Sequence, residues 1–247
     1  MKKLALVLLL LVSPSHIWAQ AFNVSENTTQ ETQNLQADVL TNYGELLLEL
    51  GMDFLLHTPQ QIKLHPLSSL AVNGYFYYNV PIKKSHFTFS PGIGISSETY
   101  SFKNNMTLAR SKKNRKTIFQ NAKALLANNP DVNHTSLNLK HGDLVTEIRF
   151  HANRLEPQEG FFMAIGGRIG LCFNAFTTIK YKEDNQNKER INKESFNLNR
   201  LCYGVIARLG WGRFGAFYSH TLSSFFNEQG PNQDIKPFNI GVSLNLF

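Results

Sequence analysis

The stretch FFMAIGGRIGLCFNAFTTIKY, residues 161–181, alternates along nearly its whole length. Phe161, Met163, Ile165, Ile169, Leu171, Phe173, Ile179 and Tyr181 make one set apolar, with aromatics at both ends. Gly166, Arg168, Gly170, Cys172, Asn174, Thr178 and Lys180 make the other mostly small or polar. A period of two sends successive side chains to opposite faces of an extended strand. Strands of globular proteins run to about 5–6 residues. A strand that crosses a bilayer needs about 9–11 tilted residues, apolar outward and polar inward, with aromatics at the two interfaces. The length and two-faced character therefore predict a membrane strand. A long strand of a soluble sandwich is the alternative, and the other strands decide between them.

Seven more segments show the same alternation, at about 46–56, 68–82, 86–102, 138–153, 196–211, 213–226 and 235–247. In the first, Leu46, Leu48, Leu50, Met52, Phe54 and Leu56 oppose Glu49, Gly51 and Asp53. In the last, Phe238, Ile240, Val242, Leu244 and Leu246 oppose Asn239, Gly241, Ser243 and Asn245. The total of eight is even. Connections after strands two, four and six are short, at 83–85, 154–160 and around Gly212. Those after strands three, five and seven are longer, at 103–137, 182–195 and 227–234. Short turns at one end and long loops at the other are the pattern of an outer-membrane barrel, with the short turns periplasmic. A sandwich has no reason to sort its loops this way. The expected fold is all-β: an eight-stranded antiparallel transmembrane up-and-down β-barrel over residues 45–247.

The chain begins Met1-Lys2-Lys3, followed by an apolar run over 4–12 and an Ala19-Gln20-Ala21 ending. That is the layout of a secretory signal peptide, expected over 1–21 with cleavage after Ala19 or Ala21. Ser13 and Pro14 interrupt the run before it could span a bilayer. Residues 22–44, rich in Asn, Thr, Gln and Glu, read as a flexible leader. With 247 residues, 42% of them hydrophobic, and a mean hydropathy of −0.24, a helical-bundle membrane protein is excluded. The expected location is the outer membrane, with both termini in the periplasm.

A barrel of eight strands has an interior just wide enough for side chains to fill. The inward positions include Glu49, Asp53, Glu98, Asp143 and Glu147 against Arg149, Arg168, Lys180, Arg200 and Arg208. Buried charges must be paired or neutralised. The expectation is thus an interior ion-pair network, with Glu49, Asp53, Glu98, Glu147, Arg149, Arg168, Arg200 and Arg208 at its centre, and no water-filled pore. Cys172 and Cys202 also fall inward, opposite one another if their hairpin is centred near residue 187. Export permits a disulfide, though two free thiols are the default. No metal-ligand spacing is present, and no cofactor or metal is expected.

For catalysis the local candidate is Ser219-His220-Thr221-Leu222-Ser223-Ser224, with Glu228 nearby. Nucleophilic hydrolysis needs a base within hydrogen-bond reach of the hydroxyl. Alternation turns His220 outward and Ser223 inward, so the chain is read as not an enzyme. The long loop 103–137 carries Lys103, Arg110, Lys112, Lys113, Arg115, Lys116 and Lys123, with no acid between Glu98 and Asp131. A helix-like spacing of Ile118, Ala122, Leu125 and Leu126 is expected within it. Its cations suit lipopolysaccharide phosphates, an acidic polymer or a partner protein, and the alternative is a solvated loop with a short cap over the barrel mouth. Nucleic acid is disfavoured, because the loop lies outside the cell in this topology. The charged loop 182–195 reads as a solvated hairpin tip.

Over roughly residues 45–247 the chain resembles the outer-membrane β-barrel proteins of the Bacteroidota, including the PorT-like group. The features are the Ala-Gln signal ending, Gly74-Tyr75-Phe76 leading through a short turn to Phe87-Thr88-Phe89-Ser90-Pro91-Gly92, Glu147-Ile148 before a turn and a Gly-rich strand, Tyr218-Ser219 before a polar loop, and the terminal Phe247. The resemblance implies an integral outer-membrane barrel, non-catalytic and structural or accessory. PorT-like members are associated with type IX secretion and gliding machinery. The implied partners are outer-membrane lipid or lipopolysaccharide, the barrel-assembly machinery and secretion-system components. The alternative reading is a small lipid-binding or lipid-modifying barrel, with a narrow pore third.

Overall fold

The computed structural model describes residues 43–246 apart from 61, 84, 112–115, 127–129, 155, 157–158, 184 and 232–233. The expected signal peptide, nearly all of the leader, and Lys112, Lys113, Arg115 and Phe247 lie outside the described residues.

Among the described residues eleven strands form: β1 (Tyr43–Leu56), β2 (Leu70–Pro81), β3 (Phe87–Phe102), β4 (Met106–Arg110), β5 (Thr117–Asn121), β6 (Asp131–His151), β7 (Phe161–Glu183), β8 (Gln186–Lys193), β9 (Leu201–Trp211), β10 (Phe214–Thr221) and β11 (Lys236–Asn245). Eight of them close into a ring in the order β6-β3-β2-β1-β11-β10-β9-β7, with β7 pairing back onto β6. Every ring pair is antiparallel. The fold is therefore an eight-stranded up-and-down barrel. Closure leaves no edge among the spanning strands, which is what hydrocarbon requires of a sheet. The strands are tilted, as a closed barrel demands. Partners followed round the ring run Tyr43, Asn79, Ser90, Glu147, Gly166, Ile206, Ser219 and Asn239, and they return to β1 at Asp53 instead of Tyr43.

Lipid-facing residues are large and apolar. Ile165, Ile95, Leu144, Leu209 and Val242 are all exposed on the outer wall, and Trp211 (70%) and Phe214 (71%) mark its short-turn end. Near the other end Phe54 stacks on Phe238, with centroids 4.9 Å apart. Apolar surface left open in this way marks an interaction or membrane face. The turn between β9 and β10 takes only Gly212 and Arg213, and Gly212 supplies its positive φ of 59°.

The long loops are more structured than their composition suggests. The stretch 116–127, expected to be helix-like, instead contributes β5, which pairs with β4, and then a single 3-10 turn at Ala122–Leu125. Thr117, Ile118 and Phe119 favour a pleated, half-buried surface over a helix, and that hairpin supplies one. β6 begins at Asp131, not near 138, and β7 continues to Glu183 to pair with β8. The loop 182–195 is thus largely ladder, and the β6–β7–β8 sheet stands above the ring. β1 begins at Tyr43, ahead of the expected domain start at 45, because Tyr43 and Gly44 already pair with Asn79 and Tyr78.

A bulge sets the inner and outer faces of this upper sheet. The β6–β7 register passes from His141↔Cys172 to Lys140↔Asn174, leaving Phe173 as the extra residue. Such an insertion reverses which residues face inward beyond it. Below Phe173 the even residues of β7 point inward; above it Ala175, Thr177 and Ile179 do, and Thr177 and Ile179 are buried.

Interior glycines make room for interior tyrosines. A Cβ on Gly94 would overlap the Gly74 carbonyl oxygen and Cδ1 of Tyr75. Tyr75 is 1% exposed, so its ring has nowhere to move. Gly94→Ala is expected to cost about 1–3 kcal/mol through overpacking. The check is the urea midpoint at which detergent-folded protein loses its heat-modifiable gel shift.

Candidate functional site: a charged interior beneath an apolar plug

Two ion-pair sets fill the barrel. In the set nearer the short turns, Arg149 Nη1 donates to Glu45 Oε2 at 2.5 Å and its Nε donates to Glu147 Oε2 at 3.0 Å. Arg208 Nε donates to Glu49 Oε1 at 2.7 Å, and its Nη1 pairs with Glu147 Oε1. The Tyr77 hydroxyl donates to Glu147 Oε1 at 2.8 Å and accepts from Arg208 Nη1 at 3.1 Å. Both guanidiniums also lie over the Tyr77 ring, at 4.5 and 5.7 Å, a favourable placement of cation on π-face. Asn73 and Asn79 donate to Glu49 and Glu45 at 2.9 Å. Glu147 therefore joins the two arginines, and Tyr77 holds Glu147 in place.

The second set lies toward the long loops. Arg168 donates to Asp143 Oδ1 at 3.0 Å, Glu98 Oε1 at 3.1 Å and Ser96 Oγ at 2.7 Å. The Tyr100 hydroxyl donates to Glu98 Oε2 at 2.8 Å. Asp53 is held by neutral donors, the Thr99 amide at 3.0 Å and Asn239 Nδ2 at 3.4 Å.

The census differs from the balance of five acids and five bases read from the sequence. Glu45, Glu49, Asp53, Glu98, Asp143 and Glu147 are buried, and so are Arg149, Arg168 and Arg208. Arg200 and Lys180 are exposed and belong to neither set. Lys180 is turned out by the Phe173 bulge. Arg200 lies one residue before the first β9 ladder pair, Leu171↔Leu201, at the mouth end of the wall, and its side chain is exposed there. Glu45 is the inward acid missed by starting β1 at Leu46. Extending the odd positions Glu49 and Asp53 back by two pairs of residues would have found it. Among the described residues the interior thus holds more carboxylates than guanidiniums, which disfavours anions there.

Cys172 and Cys202 are free and half-buried. The β7–β9 register pairs Gly170 with Cys202, and the Cys172 amide donates to the Arg200 carbonyl at 2.7 Å. The cysteines are therefore diagonal and not opposite. Diagonal Cα atoms in an antiparallel pair lie about 7–8 Å apart, beyond the usual reach of a disulfide.

Above the charged sets, the long-loop mouth is closed by an apolar core. Tyr100, Phe102, Leu108, Leu137, Phe226 and Ile235 are among its fully enclosed members. Phe225 packs edge-on against Phe226 at 5.0 Å and Tyr100 at 5.3 Å, while Phe119 of β5 meets Phe226 at 6.0 Å. Phe196 and Leu198 join this core from the connection between β8 and β9. Phe196 and Asn197 there have φ of 45° and 51°, sparsely populated for non-glycine residues. Asn197 Nδ2 donates to the Gln229 carbonyl at 2.9 Å and Asn199 Nδ2 donates to the Ser224 carbonyl at 2.6 Å. These bonds hold the reversed chain inside the mouth.

The remaining sequence candidates do not converge. The His220 ring stacks beside Tyr218 on the outer wall, 6.3 Å away. Ser223 is buried, its Oγ accepting from the Tyr203 amide at 3.3 Å, and Glu228 is exposed. Arg110 and Lys116 flank the tip of the β4–β5 hairpin, with Lys123 in the 3-10 turn. Among the described residues no group of three or more His, Cys, Asp or Glu could hold a metal ion.

A closed ring of two-faced strands with a polar, filled interior is the architecture of one class of membrane protein. Residues 22–228 match the model for the outer membrane protein beta-barrel domain. The chain belongs to that family. It is an integral outer-membrane β-barrel. No curated protein matches the chain. Among solved structures, it is similar to a mutant of Rh. blastica porin, at 8% identity and a TM-score of 0.20, over 83% of this chain and 100% of that one. A chain described as "Asymmetric conductivity of engineered proteins" is similar at 7% identity and a TM-score of 0.21, again over 83% and 100%.

Proposed function

We propose that this barrel is a closed, non-catalytic outer-membrane component with a structural or accessory role, exported by its N-terminal signal peptide. Its long-loop end faces outward and both termini face the periplasm, as loop sorting indicates. The observation that carries the reading is the interior. Paired guanidiniums and carboxylates, three enclosed tyrosines and the apolar plug leave the barrel filled by its own side chains, which argues against a diffusion pore. The opposed orientations of His220 and Ser223 support a role without hydrolysis. The likeness to PorT-like proteins favours an accessory place beside type IX secretion or gliding machinery, with the barrel-assembly machinery and outer-membrane lipid as its other partners.

Purified protein in planar bilayers is expected to give no sustained conductance. Steady channel openings at physiological salt would replace this reading with that of a pore. A pull-down in mild detergent is expected to recover secretion components. Recovery of the barrel with lipid alone would remove the secretion role.

A further inference from the structure

β8 and β9 run along the same edge of β7, but in different registers. Phe176 pairs with Lys193, whereas Leu171 pairs with Leu201. The intervening chain leaves the wall to enter the plug. Between Cys172 and Phe176, β7 therefore lacks a ladder partner on that edge, and a cleft of about 380 Å³ opens there. Its lining includes Phe173, Asn174, Lys193, Glu194 and Arg200. Lys140 pairs directly across from Asn174 on β6. Lys140, Lys193 and Arg200 are all exposed, and none forms an ion pair among the described residues. Glu194 is the one acid of the lining, its Oε1 accepting from Asn192 Nδ2 at 3.3 Å and its Oε2 buried without a hydrogen-bond partner among the described residues. It stands against the two lining cations Lys193 and Arg200. The site is thus net cationic.

Directly below lies apolar wall. Phe173, Leu171, Leu201 and Ile169 are each more than half exposed. Cations around a cleft at the upper margin of a lipid-facing apolar band fit an amphiphile with an anionic head. A lone phosphate would not need the aromatic and aliphatic surface beneath, and a soluble anionic polymer would not use it. We propose that this cleft binds a phosphorylated, acylated lipid of the outer leaflet. The phosphate sits between Lys193 and Arg200 of the lining, with Lys140 one strand away across Asn174 adding to the positive field, and the acyl chains lie along Phe173, Leu171 and Leu201. The Phe173 bulge builds the site, since it places Asn174 and Phe173 together at the margin. The assignment rests on the outward orientation of the long loops proposed above, and not on any secretion role.

The test titrates folded protein in neutral detergent with bis-phosphorylated lipid A, its dephosphorylated form, and inorganic phosphate. Phosphorylated lipid A is expected to bind, and the dephosphorylated form to bind roughly tenfold more weakly or worse. A Lys193→Gln/Arg200→Gln double variant should weaken binding on the order of tenfold, as expected for two surface cations facing an anionic head. Arg213→Gln, at the opposite end of the barrel, should leave it unchanged. Both variants alter exposed residues, and the heat-modifiable gel shift verifies that each is folded. Equal binding of the two lipid forms, an unaffected double variant, or displacement of the lipid by equimolar inorganic phosphate would each overturn the assignment. Orientation is read separately, by trypsin cleavage of the Arg110–Lys116 hairpin on intact cells. Protection there with lipid binding intact would overturn the orientation, and with it the outer-leaflet assignment, while the cleft's binding of a phosphorylated lipid would stand.

Discussion

Arg208→Ala is expected to destabilise the barrel by about 3–5 kcal/mol, the cost of breaking a buried pair by removing one partner. Arg208 is the cation between Glu49 and Glu147, two carboxylates with almost no solvent contact. Its loss leaves Glu147 with Arg149 and Tyr77, and leaves Glu49 with only the Asn73 amide. An uncompensated buried charge costs far more than the pair contributes in net stability. The companion variant Arg208→Ala/Glu49→Gln removes both charges and should recover part of the loss. Urea titration in detergent, following the heat-modifiable shift, reads both. A single variant as stable as the wild type would mean that water or protonation already neutralises Glu49, and the network would not hold the barrel together.

The second large effect is local. Phe226→Ala removes the ring that Phe119, Phe225 and the Gly230 backbone turn are built around. Truncating a buried Phe costs about 3–5 kcal/mol. Here that loss falls on the plug, which packs loop residues against the mouth ends of β3 and β6 and takes no part in the hydrogen-bonded ladders of the ring. The hydrogen-bonded wall should persist, so the gel shift is expected to remain while the β4–β5 hairpin and the β8–β9 connection become sensitive to protease. A global loss of the gel shift at the same urea concentration as loop cleavage would show that plug and barrel unfold as one unit.

The two predictions fall on parts of the molecule that differ in how far the sequence discloses them. The arginine network was readable wherever alternation runs unbroken. Glu49, Asp53, Glu98, Glu147, Arg149, Arg168 and Arg208 all lie at inward positions of strands with a clean period of two, and the fold buries each of them. Lys180 was misassigned because a single extra residue, Phe173, reverses the alternation, and a bulge leaves no mark on composition. Arg200 was misassigned for a related reason, since periodicity cannot show where a strand leaves the wall. The cysteine offset belongs here too, because the registers of β8 and β9 on β7 differ, and no common hairpin centre exists.

A cap over the mouth was one reading of the loop 103–137, but the residues that form the plug were not legible. Phe196, Leu198, Phe225, Phe226 and Ile235 occur in polar stretches between strands, with no repeat to connect them. Their association depends on which loops the closed ring brings to one end. Asn197, left-handed like Phe196, is tied to the β10–β11 connection by donating to the Gln229 carbonyl and accepting from the Asn227 amide.

For this protein, the sequence by itself determined the membrane strands, their number, the end at which the long loops gather and most of the interior charges. Those properties depend on each residue's position within its own strand, and the stretch 161–181 displays them without any neighbour. Tertiary structure alone decided the excess of interior acids, the closing of the mouth and the cationic cleft beside Asn174. Each of these depends on register between strands and on where a ladder is interrupted, and such relations exist only once the ring has closed.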